Sequence, residues 1–69
     1  MKDKITIAID AMGGENAPTK TIYGLNIFLE KNKKKDVFFN LYGDKLLIEK
    51  ELNKYNIPIS QIKVINSTS

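Results

Sequence analysis

The sequence ITIAIDAMGGENAP, residues 5–18, decides the fold of this chain. In its first part, residues 5–9, four of the five residues are β-branched, which is typical of a strand. Thr6 and Ala8, on the alternate face, are small and uncharged, so this strand is predicted to be central and covered on both faces, as in a parallel sheet. A loop with two adjacent glycines follows and turns the chain toward a helix.

The rest of the chain alternates between helical and strand patterns. Four further elements are predicted: a helix that begins after residue 16 and ends in the lysine run 31–35, a strand at 37–42, a helix at 44–55 and a strand at 62–65. Asn16 is the predicted N-cap of the first helix, with Pro18 near its first position. Asp44 is the predicted N-cap of the second helix, and Asn56 is its predicted C-cap.

Strand, helix, strand, helix, strand is an α/β pattern. Because parallel strands joined by helices take right-handed crossovers, we predict a βαβαβ segment of a doubly wound, mainly parallel sheet, a Rossmann-like three-layer sandwich. The pattern does not determine strand order. Three strands and two helices leave apolar surface and strand edges uncovered. Residues 1–69 are therefore interpreted as the N-terminal segment of a larger domain, or as a subunit that is covered by a partner.

The composition excludes several functional classes. Among 69 residues there is no Cys and no His, which excludes disulfides, thiolate catalysis, imidazole bases and common zinc sites. No metal and no cofactor is expected. The 11 basic residues are all Lys, against 8 acidic ones, and a net charge of +3 without Arg does not indicate nucleic-acid binding.

No segment of the sequence resembles a targeting signal or a membrane span. The apolar run at residues 5–9 is far too short for the core of a signal peptide, and Asp10 follows it. No stretch approaches the roughly 20 apolar residues of a transmembrane helix. The expected location is the cytoplasm.

The loop after the first strand is the candidate binding site. In open α/β sheets, ligands bind at the carboxyl ends of the strands. Gly13 and Gly14 would allow close approach of the backbone, and the following helix would offer free N–H groups to an anion. Gly13, Gly14 and Asn16 are therefore the candidate phosphate contacts. The alternative is a tight turn alone, and the loop has neither Gly-x-Gly-x-x-Gly nor Gly-Lys-Ser/Thr spacing, so a nucleotide site is not supported.

Residues 7–18, IAIDAMGGENAP, closely resemble the N-terminal motif of bacterial phosphate acyltransferases of phospholipid synthesis. That family begins with a short strand, Asp-Ala-Met-Gly-Gly, an acidic residue that is usually Asp, a variable residue and Ala-Pro. Glu15 occupies the acidic position here. Residues 41–44, LYGD, also resemble the family's second strand and Gly-Asp turn. One departure follows the third strand, where the family usually continues with a short motif including His and Ala and this chain has NSTS at 66–69.

The resemblance implies an activity and a set of partners. The implied reaction is attack of inorganic phosphate on an acyl-carrier-protein thioester, which gives acyl phosphate and free carrier protein. The family also implies a homodimer associated peripherally with the inner face of the membrane, with no organic cofactor. The isolated chain is expected to be inactive, because the acyl channel and carrier-protein dock would lie elsewhere. The alternative is an inactive truncated or split-gene product.

Two further features have alternative interpretations. Asp10 is the one candidate for a catalytic group, as a base toward a protonated phosphate. The preferred interpretation is that its carboxylate accepts hydrogen bonds from the Gly13 and Gly14 amides and shapes the loop. The lysines at 31 and 33–35 could meet an acidic carrier protein, but a solvated helix end is the preferred interpretation.

Overall fold

The computed structural model describes residues 4–33 and 35–67. The elements in chain order are β1 (Ile5–Asp10), α1 (Thr19–Lys31), β2 (Val37–Gly43), α2 (Lys45–Leu52), a single 3₁₀ turn (Ile59–Gln61) and β3 (Ile62–Asn66). The predicted βαβαβ order and α/β class are confirmed. The tail at 66–69 lies only partly within the described residues, and Lys34 lies outside them.

Within the described residues, the three strands form one parallel sheet in the order β1-β2-β3. Ile7 pairs with Phe39, and Phe39 pairs with Ile62, so β2 lies between its two neighbours. The prediction that the first strand is central was therefore wrong for this sheet. Residues on β1 are mostly exposed, whereas alternate residues of β2 are buried. The small residues of β1 predicted that other elements would pack on both of its faces. The described part of the chain does not provide those elements.

Both helices pack on one face of the sheet. The Phe28 ring of α1 meets the Phe39 ring of β2 edge-on, with centroids 5.8 Å apart. Ile48 of α2 lies against Gly43, which is on the same face as Phe39 because side chains alternate along a strand. The core between these two layers consists of Ala11, Ile22, Leu25, Leu29, Val37, Phe39, Leu41, Ile48 and Ile57. The opposite face of the sheet has no helix within the described residues.

Local sequence explains where most elements start and stop. Asp44 caps α2 as predicted, because its carboxylate accepts hydrogen bonds from the amides of Leu46 and Leu47. The helix ends one turn earlier than predicted, with Asn53 rather than Asn56 at the C-cap. Beyond it, the Tyr55 amide donates to the Leu52 carbonyl at 3.2 Å, a tighter turn that does not continue the helix.

The predicted N-cap of the first helix was also wrong. Helix α1 begins at Thr19 with Pro18 at the N-cap position, and no side chain caps it. Asn16 instead adopts a left-handed conformation with φ of 63°, and its carbonyl accepts from the Lys20 amide at 3.0 Å. Asn tolerates this conformation better than most residues, so it turns the chain before the helix rather than capping it.

Neither helix is long and apolar enough to cross a membrane in the part of the chain that the structure describes.

Candidate functional site

The loop between β1 and α1, residues 11–18, leaves the carboxyl edge of the sheet. Its first residue, Ala11, is fully buried and donates its amide to the Tyr42 carbonyl at 2.9 Å. Because the strands are parallel, the ends of β2 and β3 lie at the same edge. There the amide of Ser67, just after β3, donates to the carbonyl of Gly43, the last residue of β2, at 2.9 Å. The loop therefore lies where ligands bind in open α/β sheets.

Asp10 ends β1 and shapes the start of this loop. Its Oδ1 accepts a hydrogen bond from the Met12 amide at 3.1 Å, and its carbonyl accepts from the Gly13 amide at 3.4 Å. The Asp10 carboxylate therefore accepts a hydrogen bond from the loop backbone, as the preferred interpretation predicted. The donor, however, is the Met12 amide and not the amide of Gly13 or Gly14. A carboxylate that bonds the backbone two residues ahead is a common way to stabilise a turn.

The Met12 side chain packs directly against the backbone of Gly43. The sequence analysis did not predict this contact. A Cβ placed on Gly43 would meet Met12 Cγ, with Met12 Sδ and Ile48 Cδ1 both at 3.1 Å. The absence of a side chain at this position lets the β1–α1 loop lie directly over the end of β2. The sequence signal was the Gly-Asp pair, of which only the break between strand and helix was recognised.

We expect Gly43→Val to destabilise the chain by about 1–3 kcal/mol, because the added methyl groups force Met12 and Ile48 aside. The loop would be displaced with Met12. Urea unfolding of the two proteins measures the change. Gly24→Ala is the matched control, because nothing lies within 4 Å of a Cβ at Gly24 and the substitution favours the helix. Equal unfolding midpoints for Gly43→Val and wild type would show that the contact does not constrain the loop.

The middle of the loop has unusual backbone geometry and free donors. Gly14 has φ of 84° and Asn16 has φ of 63°, so two left-handed residues are separated by one other. Among the described residues, the amides of Gly14, Glu15 and Asn16 donate no hydrogen bond. Turns of this kind can aim successive N–H groups into one concavity, which suits an anion. All four predicted site residues, Asp10, Gly13, Gly14 and Asn16, are exposed in this region.

The two helices that begin at this edge differ in whether a side chain caps their N-terminal N–H groups. Helix α2 is capped by Asp44, and its Lys45 amide also donates to Asn66 Oδ1 at 3.2 Å. Helix α1 has no side-chain cap, and its first turn, all of it described, contains no acidic residue. The uncapped end of α1 therefore retains its partial positive charge, although the Lys20 amide in its first turn is bonded to the Asn16 carbonyl. The N-terminus of α1 is therefore less compensated by its own residues than that of α2, although the Glu51 carboxylate of α2 lies beside Thr19.

A buried carboxylate holds the start of α1 in place. Glu51 of α2 is 9% exposed, and its Oε1 accepts from the Thr19 hydroxyl at 2.9 Å and from Lys54 Nζ at 3.0 Å. These hydrogen bonds, first that of Lys54 and then that of Thr19, lower the pKa of Glu51 below its ordinary value, although burial opposes the shift. Because Thr19 is the first residue of α1, this contact fixes the position of the β1–α1 loop relative to α2.

We expect the stability contributed by Glu51 to depend on pH. The pKa of its carboxyl is lower in the folded than in the unfolded chain, so the folded state is favoured at neutral pH. This contribution is lost as pH falls below about 4.5 and through the lowered pKa of the folded state. Urea midpoints of wild type and Glu51→Gln, measured across this range, should converge at low pH. A constant difference between the two proteins at every pH would contradict the assignment.

A groove of about 560 Å³ lies away from the loop, between α2 and β3. Apolar side chains including Leu52, Tyr55, Ile57 and Val64 line it. None of the four predicted site residues does so. The residues of the β1–α1 loop from Met12 to Asn16 are exposed, so a closed site that excludes water would need a second wall beyond the described residues.

The lysines at the end of α1 are solvated. Lys31, Lys33 and Lys35 are exposed, and the structure shows no contact that would assign them a partner among the described residues. This is the arrangement expected of a soluble helix end, which was the preferred interpretation.

Comparison with known proteins finds relatives that are all named phosphate acyltransferase. No family model matches it. It is 43% identical over 68 residues to a phosphate acyltransferase of Oenococcus oeni, an alignment that covers 99% of this chain and 18% of that protein. It is 52% identical over 52 residues to a phosphate acyltransferase of Rhodopseudomonas palustris, covering 75% of this chain and 14% of that protein. For the phosphate acyltransferase of Pelagibacter ubique the identity is 37% over 67 residues, 97% of this chain and 19% of the relative.

The relatives share a name and differ from this chain in length. Their identities extend over most of its 69 residues, so the chain is related to acyltransferases. Within that class, it is homologous to the phosphate acyltransferases, as its opening motif indicated. The chain spans only 14–19% of the length of these curated relatives.

Proposed function

We propose that residues 1–69 are a segment of a larger acyltransferase domain and that the β1–α1 loop supplies part of its phosphate site. The complete enzyme transfers an acyl group from an acyl-carrier-protein thioester to inorganic phosphate. The observation that carries the proposal is the combination of free loop amides and an uncapped α1 N-terminus at the carboxyl edge of the sheet. Homology to proteins named phosphate acyltransferase supports the choice of anion.

The loop residues have separate roles in this proposal. Gly13 has no side chain, so phosphate can approach the backbone closely, while Gly14 and Asn16 turn their N–H groups toward it. The Asn16 side chain donates no hydrogen bond among the described residues, so its amide can also serve the phosphate. The Asp10 carboxylate acts by holding Met12 and the loop, and needs no proton transfer.

The reaction requires phosphate to be held beside the thioester carbonyl. A phosphate oxygen attacks the carbonyl carbon, the new C–O bond forms, and the C–S bond breaks with release of the carrier-protein thiol. The loop contributes by fixing the nucleophile in position and by placing dipoles near its charge. The groups that stabilise the oxyanion of the thioester and bind the acyl chain belong to the rest of the enzyme.

The remaining parts of the proposal rest on what the resemblance of the opening motif to the family implies. The carrier protein is the acyl donor, the enzyme is a homodimer, and it works in phospholipid synthesis in the cytoplasm with peripheral association with the inner face of the membrane. The solvated lysines of α1 are not assigned to carrier-protein docking.

A chimera tests the proposed function. The 68-residue aligned segment of the O. oeni relative is replaced by that of this chain, and the product is incubated with acyl-carrier protein and phosphate. Hydroxylamine traps any acyl phosphate that forms. We expect turnover that depends on phosphate. A folded chimera without turnover, beside an active O. oeni parent, would contradict the proposal.

The 69-residue chain by itself should show no turnover in the same assay. The β1–α1 loop has no second wall within the described residues, so water would compete with phosphate for any activated acyl group. Reproducible acyl phosphate formation above a heat-treated control would show that the segment is a sufficient catalyst. The interpretation as part of a larger site would then be wrong.

A further inference from the structure

The β1–α1 loop is attached at both ends to the same neighbouring unit, strand β2 and helix α2. At its start, the Met12 side chain packs on Gly43, the last residue of β2, beside Ile48 of α2. At its end, the hydroxyl of Thr19 donates to the Glu51 carboxylate of α2 at 2.9 Å. The free amides of the loop lie between these two attachments, so α2 contacts both ends of the segment proposed to bind phosphate.

The attachment at Thr19 acts on the loop backbone. Thr19 is the first residue of α1, and the amide of the next residue, Lys20, donates to the Asn16 carbonyl at 3.0 Å. A shift of Thr19 is therefore transmitted through one hydrogen bond to Asn16, which is one of the residues proposed to contact phosphate. Groups that touch a ligand are held in place by partners of this kind, which do not touch it themselves.

Stability alone does not account for a carboxylate at position 51. Glu51 is buried, and its Oε2 accepts no hydrogen bond from the described residues, although Oε1 accepts two. A buried charged oxygen without a donor costs free energy, and an apolar side chain of similar size would avoid that cost. The position that the carboxylate imposes on Thr19 is the effect that an apolar side chain could not reproduce.

We propose that Glu51 is a positioning residue of the phosphate site, which acts through the Thr19 hydroxyl to fix the loop amides for the anion, an inference that rests on the proposed function. Glu51 itself does not touch phosphate, because its charge would repel the anion. Its effect on phosphate affinity has two parts. The acceptor oxygen that holds Thr19 favours binding, and the negative charge near the start of α1 opposes it.

Substitutions at Thr19 test the hydrogen bond. The ¹⁵N-labelled chain is titrated with inorganic phosphate, and the dissociation constant is obtained from the amide shifts of Gly14 and Asn16. Thr19→Val removes the hydroxyl and keeps the shape, so we expect phosphate to bind at least about fivefold more weakly, the lower end of typical coupling between sites. Thr19→Ser keeps the hydroxyl and should bind phosphate as wild type does. Thr21→Val is the matched control, because the Thr21 side chain makes no hydrogen bond among the described residues.

Substitutions at Glu51 separate the acceptor oxygen from the charge. Glu51→Gln keeps an oxygen that can accept from Thr19 and removes the charge, so phosphate should bind at least as tightly as in wild type. Glu51→Leu removes both. Since neither variant has the charge, the ratio of their dissociation constants isolates the hydrogen bond, and we expect Glu51→Leu to bind phosphate at least about fivefold more weakly than Glu51→Gln. Circular dichroism checks that each variant is folded, and the Thr19 substitutions decide the question if Glu51→Leu is not.

Failure of this positioning role is distinguishable from failure of the proposed function. Phosphate binding by Thr19→Val equal to that of wild type, or binding by Thr19→Ser as weak as that of Thr19→Val, would overturn the role of Glu51 and leave the phosphate loop in place. Tighter binding by Glu51→Leu than by Glu51→Gln would also overturn it. A wild-type chain whose loop amides do not respond to phosphate would overturn the proposed function, and the positioning role with it.

Discussion

Gly13→Val in the O. oeni chimera should reduce acyl phosphate formation by about 100-fold or more. A Cβ at position 13 would lie 3.3 Å from Asp10 Oδ2, and the two methyl groups of valine would occupy the space through which phosphate approaches the backbone. Displacement of a bound reactant by about 1 Å is enough to cost roughly a hundredfold in rate. The loss should appear as a higher KM for phosphate together with a lower kcat.

Two further variants serve as controls for this substitution. Gly13→Ala adds only the Cβ and should give an intermediate rate. Gly24→Ala lies within α1 with nothing within 4 Å of the added atom, so turnover should remain close to that of the parent chimera. Circular dichroism checks that all three proteins are folded. Unaltered turnover of a folded Gly13→Val protein would reduce the loop to a structural turn.

Leu41→Ala should destabilise the isolated chain by about 2–5 kcal/mol, the cost of removing a large side chain from a core that cannot close the space. Leu41 is fully buried at the middle of β2, opposite Ile9 on one side and Val64 on the other. Domains are stable by only about 5–15 kcal/mol, and small ones bury proportionally less surface. The substitution should therefore leave much of the population unfolded at room temperature.

Leu46→Ala removes the same atoms from the surface and is the matched control. Leu46 is 78% exposed on α2, so the expected change is within about 0.5 kcal/mol. Urea unfolding followed by circular dichroism, at several protein concentrations, measures both. If the two substitutions had equal effects, the two-layer core described for Leu41 would be incorrect.

Local patterns in the sequence predicted the elements well, because each strand and helix is specified by its own residues. The β-branched run at residues 5–9 and the Asp44 cap needed no tertiary information. The position of β1 in the sheet was predicted wrongly for the opposite reason. Small residues on both faces of a strand indicate that it will be covered, and they do not say whether the described chain or another segment provides the cover.

In the candidate site, too, the features set by local sequence were predicted and those that depend on the three-dimensional structure were not. The position of the β1–α1 loop at the carboxyl edge followed from the strand-to-helix order, and the structure bears that out. The roles of Asn16 and Glu51 did not follow. Asn16 is a common N-cap residue, and only the backbone reveals its left-handed conformation. Glu51 lies in the charged stretch EKEL, residues 49–52, which predicts a solvated helix face. Its burial depends on Thr19, which lies 32 residues earlier.

Direct observation of phosphate on the loop is the most immediate test of the central claim. The ¹⁵N-labelled chain is titrated with inorganic phosphate at constant ionic strength, with chloride as the reference anion, and backbone amide shifts are recorded. We predict saturable shifts at Gly13, Gly14 and Asn16 that chloride does not reproduce, with Gly24 unmoved. Shifts that are absent from the loop, or that are spread evenly over the exposed amides and match those with chloride, would contradict the claim that this loop binds phosphate.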